Sequence, residues 1–155
     1  MTTTPRLDNA DSVFIDQSVI TAFMDPVHPK YRKARSVLYD LDDLDRHLVT
    51  TNAVIFDIHE WLRNHYDYDH ADAFFHVMNK AIEKESLSVL AVPTELEQKA
   101  KQFVAEAPQF QFSLSEALTV VVMLRYGIKR IFTFNSTYKQ LPVLNPEIKV
   151  IPSVL

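Results

Sequence analysis

Three acids, Asp16, Asp57 and Glu116, and one amide, Asn135, fall where strand-like runs end or helix-like runs begin. Asp16 closes the apolar run Ser12-Val-Phe-Ile15, and Asn135 follows Lys129-Arg-Ile-Phe-Thr-Phe134. Asp57 lies in a helical pattern that opens after His47-Leu-Val-Thr50, and Glu116 stands in the first turn of a helix begun by Ser113. Each has an ordinary structural reading. Asp16 and Asn135 are residue types that cap helices, and Ser113-Leu-Ser-Glu116 matches the S-x-x-E capping box. Asp57 sits at the edge of an apolar stripe, three after Val54 and four before Trp61, where a partly buried acid can pair with a base. Together they say more. Carboxylates that meet repel one another, so each needs a cation or a proton. Oxygen donors without matched bases point to a hard divalent cation, Mg2+ or Mn2+.

Such a meeting needs a scaffold, and the hydrophobic pattern supplies one. Short apolar runs at 12–15, 47–50, 88–92, 129–134 and 149–151 read as strands. Helical patterns separate them: one through Val19, Ile20 and Phe23 that breaks at Asp25-Pro26, then 29–39, a helix capped by Thr51 or Asn52 and reaching His65, 70–84, 94–106 and 113–126. Gly127 ends the last of these. Asp42-Asp43-Leu44-Asp45 and 107–112 read as loops, and helix 113–126 is apolar on most sides, which predicts an interior position. Phe74-Phe75 and Met78 are expected in the core or in a subunit contact. Continuous apolar strands alternating with helices predict a parallel sheet covered on both faces. In such sheets, sites lie beyond the carboxyl ends of the strands, where the four polar residues fall. Residues 1–11 are polar and aperiodic and read as a flexible leader; 12–155 read as a single domain.

Composition removes several chemistries. The 155-residue chain has no cysteine, which excludes thiolate metal sites and cysteine nucleophiles. Its single glycine excludes the glycine-rich phosphate loops of nucleotide enzymes. A formal net charge of −4 provides no global attraction for nucleic acid, so cations must bridge any contact with a polyanion. His59-Glu60 fails as a zinc-protease motif because position 63 is Arg, and His65, His70 and His76 read as surface helix histidines. No G-x-S-x-G is present. No apolar run is long enough to span a bilayer and no secretion signal opens the chain, which predicts a cytoplasmic protein without membrane contact.

Four stretches, in order, resemble PIN-domain proteins: Val13-Phe-Ile-Asp16-Gln-Ser18, Leu48-Val-Thr-Thr-Asn52 with Asp57 beyond it, Phe112-Ser-Leu-Ser-Glu-Ala117, and Gly127-Ile-Lys-Arg-Ile-Phe-Thr-Phe134-Asn135. The nearest type is the VapC-like toxin ribonuclease, and the resemblance covers about residues 12–152. It implies a three-layer α/β/α sandwich with a mainly parallel sheet of four or five strands. It also implies an Mg2+- or Mn2+-dependent endoribonuclease, with RNA as substrate, a small antitoxin as partner and a homodimer as assembly. Carried over, Asp16, Asp57 and Glu116 match the metal-holding acids, Asn135 the fourth acid, and Ser18 the small hydroxyl residue beside the first. Arg63 and Lys139 are candidates for phosphate contact. Departures from the family pattern are Asp57 for Glu, Glu116 for Asp, Asn135 for Asp and Gln17 for Thr. They predict one firmly held ion and a weak or absent second, and they raise the alternative of a degenerate domain that binds RNA or protein without cutting. A receiver-like signalling domain is disfavoured, because Asp16 has no adjacent acid and Asp57 lies in a helix pattern.

Overall fold

The computed structural model describes residues 11–152. Five strands form one sheet: β1 (Val13–Ile15), β2 (Leu48–Thr51), β3 (Leu87–Leu90), β4 (Arg130–Phe132) and β5 (Lys149–Ile151). Their order is β3-β2-β1-β4-β5, with every pairing parallel. Seven helices connect them: α1 (Gln17–Phe23), α2 (Tyr31–Asp43), α3 (Asn52–His65), α4 (Tyr68–Glu83), α5 (Thr94–Glu106), α6 (Leu114–Tyr126) and α7 (Leu141–Leu144). Short 3-10 turns occupy Pro108–Phe110 and Ser136–Gln140.

Strand alternation sends successive side chains to opposite faces. Val13 and Ile15 join a cluster with Val19, Ile20, Ile58, Leu62 and Phe74, which places α1 to α4 on one face. Phe14 joins Leu96, Ala100, Ala117, Val120 and Met123, which places α5 and α6 on the other. The chain steps from β1 to β2 to β3 in one direction, then returns past β1 to β4. A crossover hand kept constant through that reversal moves the helices to the opposite face. The point of reversal lies between β1 and β4, where an open sheet leaves a crevice at its carboxyl end.

The three-layer sandwich and the parallel sheet are as expected, with some boundaries moved. Asp42 and Asp43 belong to the last turn of α2 rather than to a loop, because Leu41 beside them is buried in the core and its packing outweighs the weak helix preference of Asp. α2 begins at Tyr31, not 29, and α4 at Tyr68, not 70, where the Asp67 side chain accepts from His70 N at 2.9 Å. β4 stops at Phe132 because the amides of Phe134 and Asn135 turn to side-chain acceptors. α6 buries Ala117, Thr119, Val120, Val122 and Met123 but leaves Leu114 and Leu124 exposed, so it is covered on one side only. Phe74 is core and Phe75 is partly exposed. The expected leader lies outside the described residues except for Asp11, which is paired with Arg46.

Candidate active site

Asp16 caps α1 directly beyond β1 and is 5% exposed. Its Oδ1 accepts from Ser18 Oγ at 2.7 Å and more weakly from Val19 N at 3.4 Å. Its Oδ2 accepts from Thr133 Oγ1 at 2.8 Å. Burial pushes the carboxyl above the usual carboxylate range, and the hydrogen bonds from Ser18, Thr133 and the Val19 amide partly oppose that push. Among the described residues, no lysine or arginine pairs with it.

The same two hydroxyls tie Asp16 to the segment after β4. Ser18 Oγ accepts from Phe134 N at 2.9 Å, and Thr133 Oγ1 accepts from Asn135 N at 2.9 Å. Asn135 then reaches the third stretch: its Nδ2 donates to Glu116 Oε2 at 2.6 Å, while its Oδ1 accepts from Thr137 N at 3.0 Å. Glu116 closes the capping box of α6, since its Oε1 accepts from Ser113 N at 2.8 Å and its own amide donates to Ser113 Oγ at 3.1 Å. A continuous frame therefore runs Ser18, Asp16, Thr133, Asn135, Glu116. The capping readings of Asp16, Asn135 and Glu116 all hold, and the same side chains also face one cleft.

That cleft has a volume of about 390 Å³ and is lined by Asp16, Asp57, Glu116 and Asn135, together with Ser18, Thr119 and Tyr138. Asp57 is exposed on the α3 wall. Partial desolvation by the wall raises its carboxyl above the usual range, and the charge of Glu60 raises it further. Tyr138 is 3% exposed; burial pushes its phenol up, a hydrogen bond with Thr119 partly offsets this, and the charges of Asp16 and Glu116 add to it.

The donors are hard oxygens, Asp16 is a buried carboxylate with no base beside it, and no Lys or Arg lines the cleft among the described residues. In kind they fit a divalent cation. As placed they do not close around one, because no three Asp, Glu or His side chains among the described residues form a ready ligand set. Asp16 and Glu116 share the hydrogen-bonded frame; Asp57 shares only the cleft.

The other expected site residues are placed differently. Ser18 lines the cleft, and its hydroxyl donates to Asp16 and accepts from Phe134 N, so it positions the acid. Arg63 and Lys139 are exposed, and neither lines the cleft. Asn135 directs its amide N–H at Glu116 and so orients that acid. Thr133 and Tyr138 were missing from the sequence reading. Thr133 was legible as a hydroxyl at a strand's carboxyl end, yet it sits between two phenylalanines in a run that scores only as apolar.

The sequence matches no family model and no curated relative. Among solved structures, the chain is similar to Mycobacterium tuberculosis VapC20, a Sarcin-Ricin loop cleaving toxin, with a TM-score of 0.71 and 19% identity. The likeness covers 84% of this chain and 95% of that one. The two share a fold, so the sequence resemblance to VapC-like PIN proteins is borne out at that level.

Proposed function

We propose that the protein is a divalent-metal-dependent endoribonuclease and the toxin of a toxin–antitoxin pair. One observation carries the reading: a buried carboxylate without a base, Asp16, stands at the switch point of the sheet and shares its cleft with Asp57 and Glu116. The shared fold with a Sarcin-Ricin loop cleaving toxin supports RNA as substrate. Asp16, Asp57 and Glu116 would hold Mg2+ or Mn2+. Bound there, such a cation supplies Lewis-acid stabilisation of charge at a phosphodiester and a lower pKa for the attacking water.

The chain's own residues prepare that chemistry. Ser18 and Thr133 fix both carboxylate oxygens of Asp16, and Asn135 and Ser113 fix those of Glu116. Tyr138, in the lining of the same cleft with its phenol pushed up by burial, stays protonated and adds no charge. Asp57, on the exposed wall, would add its oxygens to those of Asp16 and Glu116 were a cation bound. The exposed rings of Phe56, Tyr68 and Phe75 on α3 and α4 support a covered face, for which a second copy or a small antitoxin is the proposed occupant.

A second reading, a degenerate domain that binds RNA or protein without cutting, is favoured by the amide of Asn135 on Glu116 and by the incomplete ligand set. Titrating Mn2+ while following cleavage of a structured RNA separates the two. The nuclease reading expects saturable, chelator-sensitive cleavage by the wild type and its loss in Asp16→Asn. Equal behaviour of both proteins at saturating Mn2+ would leave the degenerate reading standing.

A further inference from the structure

The net charge of −4 is unevenly spread, and α2 is divided along its length. Lys30, Arg32, Lys33 and Arg35 stand at its start, and Asp40, Asp42 and Asp43 at its end. That order runs against the helix dipole, which favours acids in the first turn and cations in the last. It also forgoes the ion pairs that interleaved charges make at i and i+4, since Arg32, Lys33 and Arg35 have Ser36, Val37 and Tyr39 at that spacing. Among the described residues, no carboxylate forms a salt bridge with any of the four cations. A segment that sets aside two local preferences points to a use beyond its own stability.

The basic end of α2 stands at the carboxyl end of the sheet, beside the acids. Lys30 Nζ lies over the Phe134 ring, 5.8 Å from its centroid. Phe134 follows β4, and its amide donates to Ser18 Oγ, the hydroxyl that donates in turn to Asp16. The Lys30 amide donates to His28 Nδ1 at 2.9 Å, which fixes the turn that presents the lysine. Lys33 lies three residues on, along the same flank of the helix, and both lysines are exposed. Arg32 and Arg35 occupy the other flank, where Arg35 donates to the hydroxyls of Tyr31 at 3.0 Å and Tyr39 at 2.8 Å. The two lysines stand just outside a cleft whose lining holds acids and, among the described residues, no lysine or arginine.

We propose that Lys30 and Lys33 form a phosphate-binding rim, which holds the RNA backbone outside the cleavage point. This rests on the nuclease reading of the cleft and adds a second point of attachment to it. Inside the cleft a bridging cation screens the strand from the acids; on the rim the lysines meet phosphate directly. Lysine suits the task as a mobile point charge on a flexible stem, and contacts to phosphate carry no sequence information, so the rim grips every sequence alike. Both lysines position the strand and take no part in bond breaking.

Salt dependence tests the rim. Anisotropy of a labelled oligoadenylate is titrated with the full chain in chelator, where no cation bridges and nothing is cut, over a series of KCl concentrations. The pair Lys30→Gln and Lys33→Gln should flatten the plot of log affinity against log salt by about 1.4, that is about 0.7 for each lost contact, and weaken binding about ten-fold or more. An oligouridylate of equal length should lose as much. Lys30→Arg with Lys33→Arg should keep the wild-type slope. Lys80→Gln with Lys84→Gln, an equal change of charge at the other end of the sheet, should keep it too. With Mn2+ present, the loss in the first pair should fall on KM rather than kcat. A wild type that binds neither strand in chelator, or a first pair with the wild-type slope, would overturn the proposal. So would an equal loss in the Lys80 and Lys84 pair, or a loss confined to one sequence. Weakened binding of polyglutamate with RNA binding intact would assign the rim to an acidic protein segment and overturn it likewise. If the first pair fails to fold, Lys30→Gln and Lys33→Gln singly decide, each flattening the slope by about 0.7. Failure of the nuclease reading shows separately, as no cleavage by the wild type at any Mn2+ concentration while the salt-dependent binding persists.

Discussion

Asp16 is held by both of its oxygens and is almost sealed from water, so its environment sets the chemistry of the cleft. Because burial raises its carboxyl, the folded chain binds that proton more tightly than the unfolded chain does. Its contribution to stability is therefore full below the ordinary carboxylate range and is lost as the pH rises through the raised value. In chelator, Asp16→Asn should melt above the wild type at neutral pH, with the gap closing in acid. Calorimetry across that range checks it, and a gap that ignores pH would contradict it. Thr133 is the second test at this scale. Its hydroxyl donates to Asp16 and accepts from Asn135 N, so Thr133→Val leaves a buried carboxylate oxygen and an amide without their partner. On the proposed function, cleavage should fall about 10- to 100-fold, the loss usual for groups that orient metal ligands. Thr133→Ser, which keeps the hydroxyl, should retain most of the rate.

At the scale of the element, α6 links folding to the site. Ser113 and Glu116 satisfy each other's amides, and the same Glu116 carboxylate presents its second oxygen to Asn135. Ser113→Ala should cost about 1 kcal/mol in denaturant unfolding and should also slow cleavage, since the Glu116 amide loses its acceptor and the first turn that carries the carboxylate loosens. Ser113→Thr should restore both. A variant destabilised with undiminished kcat would show that the box serves the helix alone. Helices of this kind were legible from local chemistry: 94–106 was expected with the bounds it has, behind Pro93. The ends that moved are those decided by distant parts of the chain. Leu41 drew Asp42 and Asp43 into α2 by packing, and Ser18 drew Phe134 out of β4 by accepting its amide.

For the whole molecule, the parallel sheet and the two-sided core follow from alternating apolar runs, and so does the end of the sheet at which polar residues gather. The pairings at that end do not follow. Thr133 meets Asp16 across 117 residues, and a run reading Phe-Thr-Phe carries no mark of that partner. The stand-off of Asp57 was equally hidden, because spacing along a helix fixes a face and not the reach of a side chain across a cleft. Arg63 and Lys139, expected near phosphate from their proximity in sequence, both lie outside the cleft lining. What emerges is an acidic cleft with no base among its described lining, at the reversal point of a parallel sheet. The proposed function turns on affinity for a divalent cation, and electron paramagnetic resonance of Mn2+ measures that without reference to turnover. The wild type should remove one tightly held Mn2+ per chain from the free-ion signal, and Asp16→Asn and Glu116→Gln should each leave that ion free. A wild type that leaves the free Mn2+ signal undiminished, or variants that bind as the wild type does, would contradict the account.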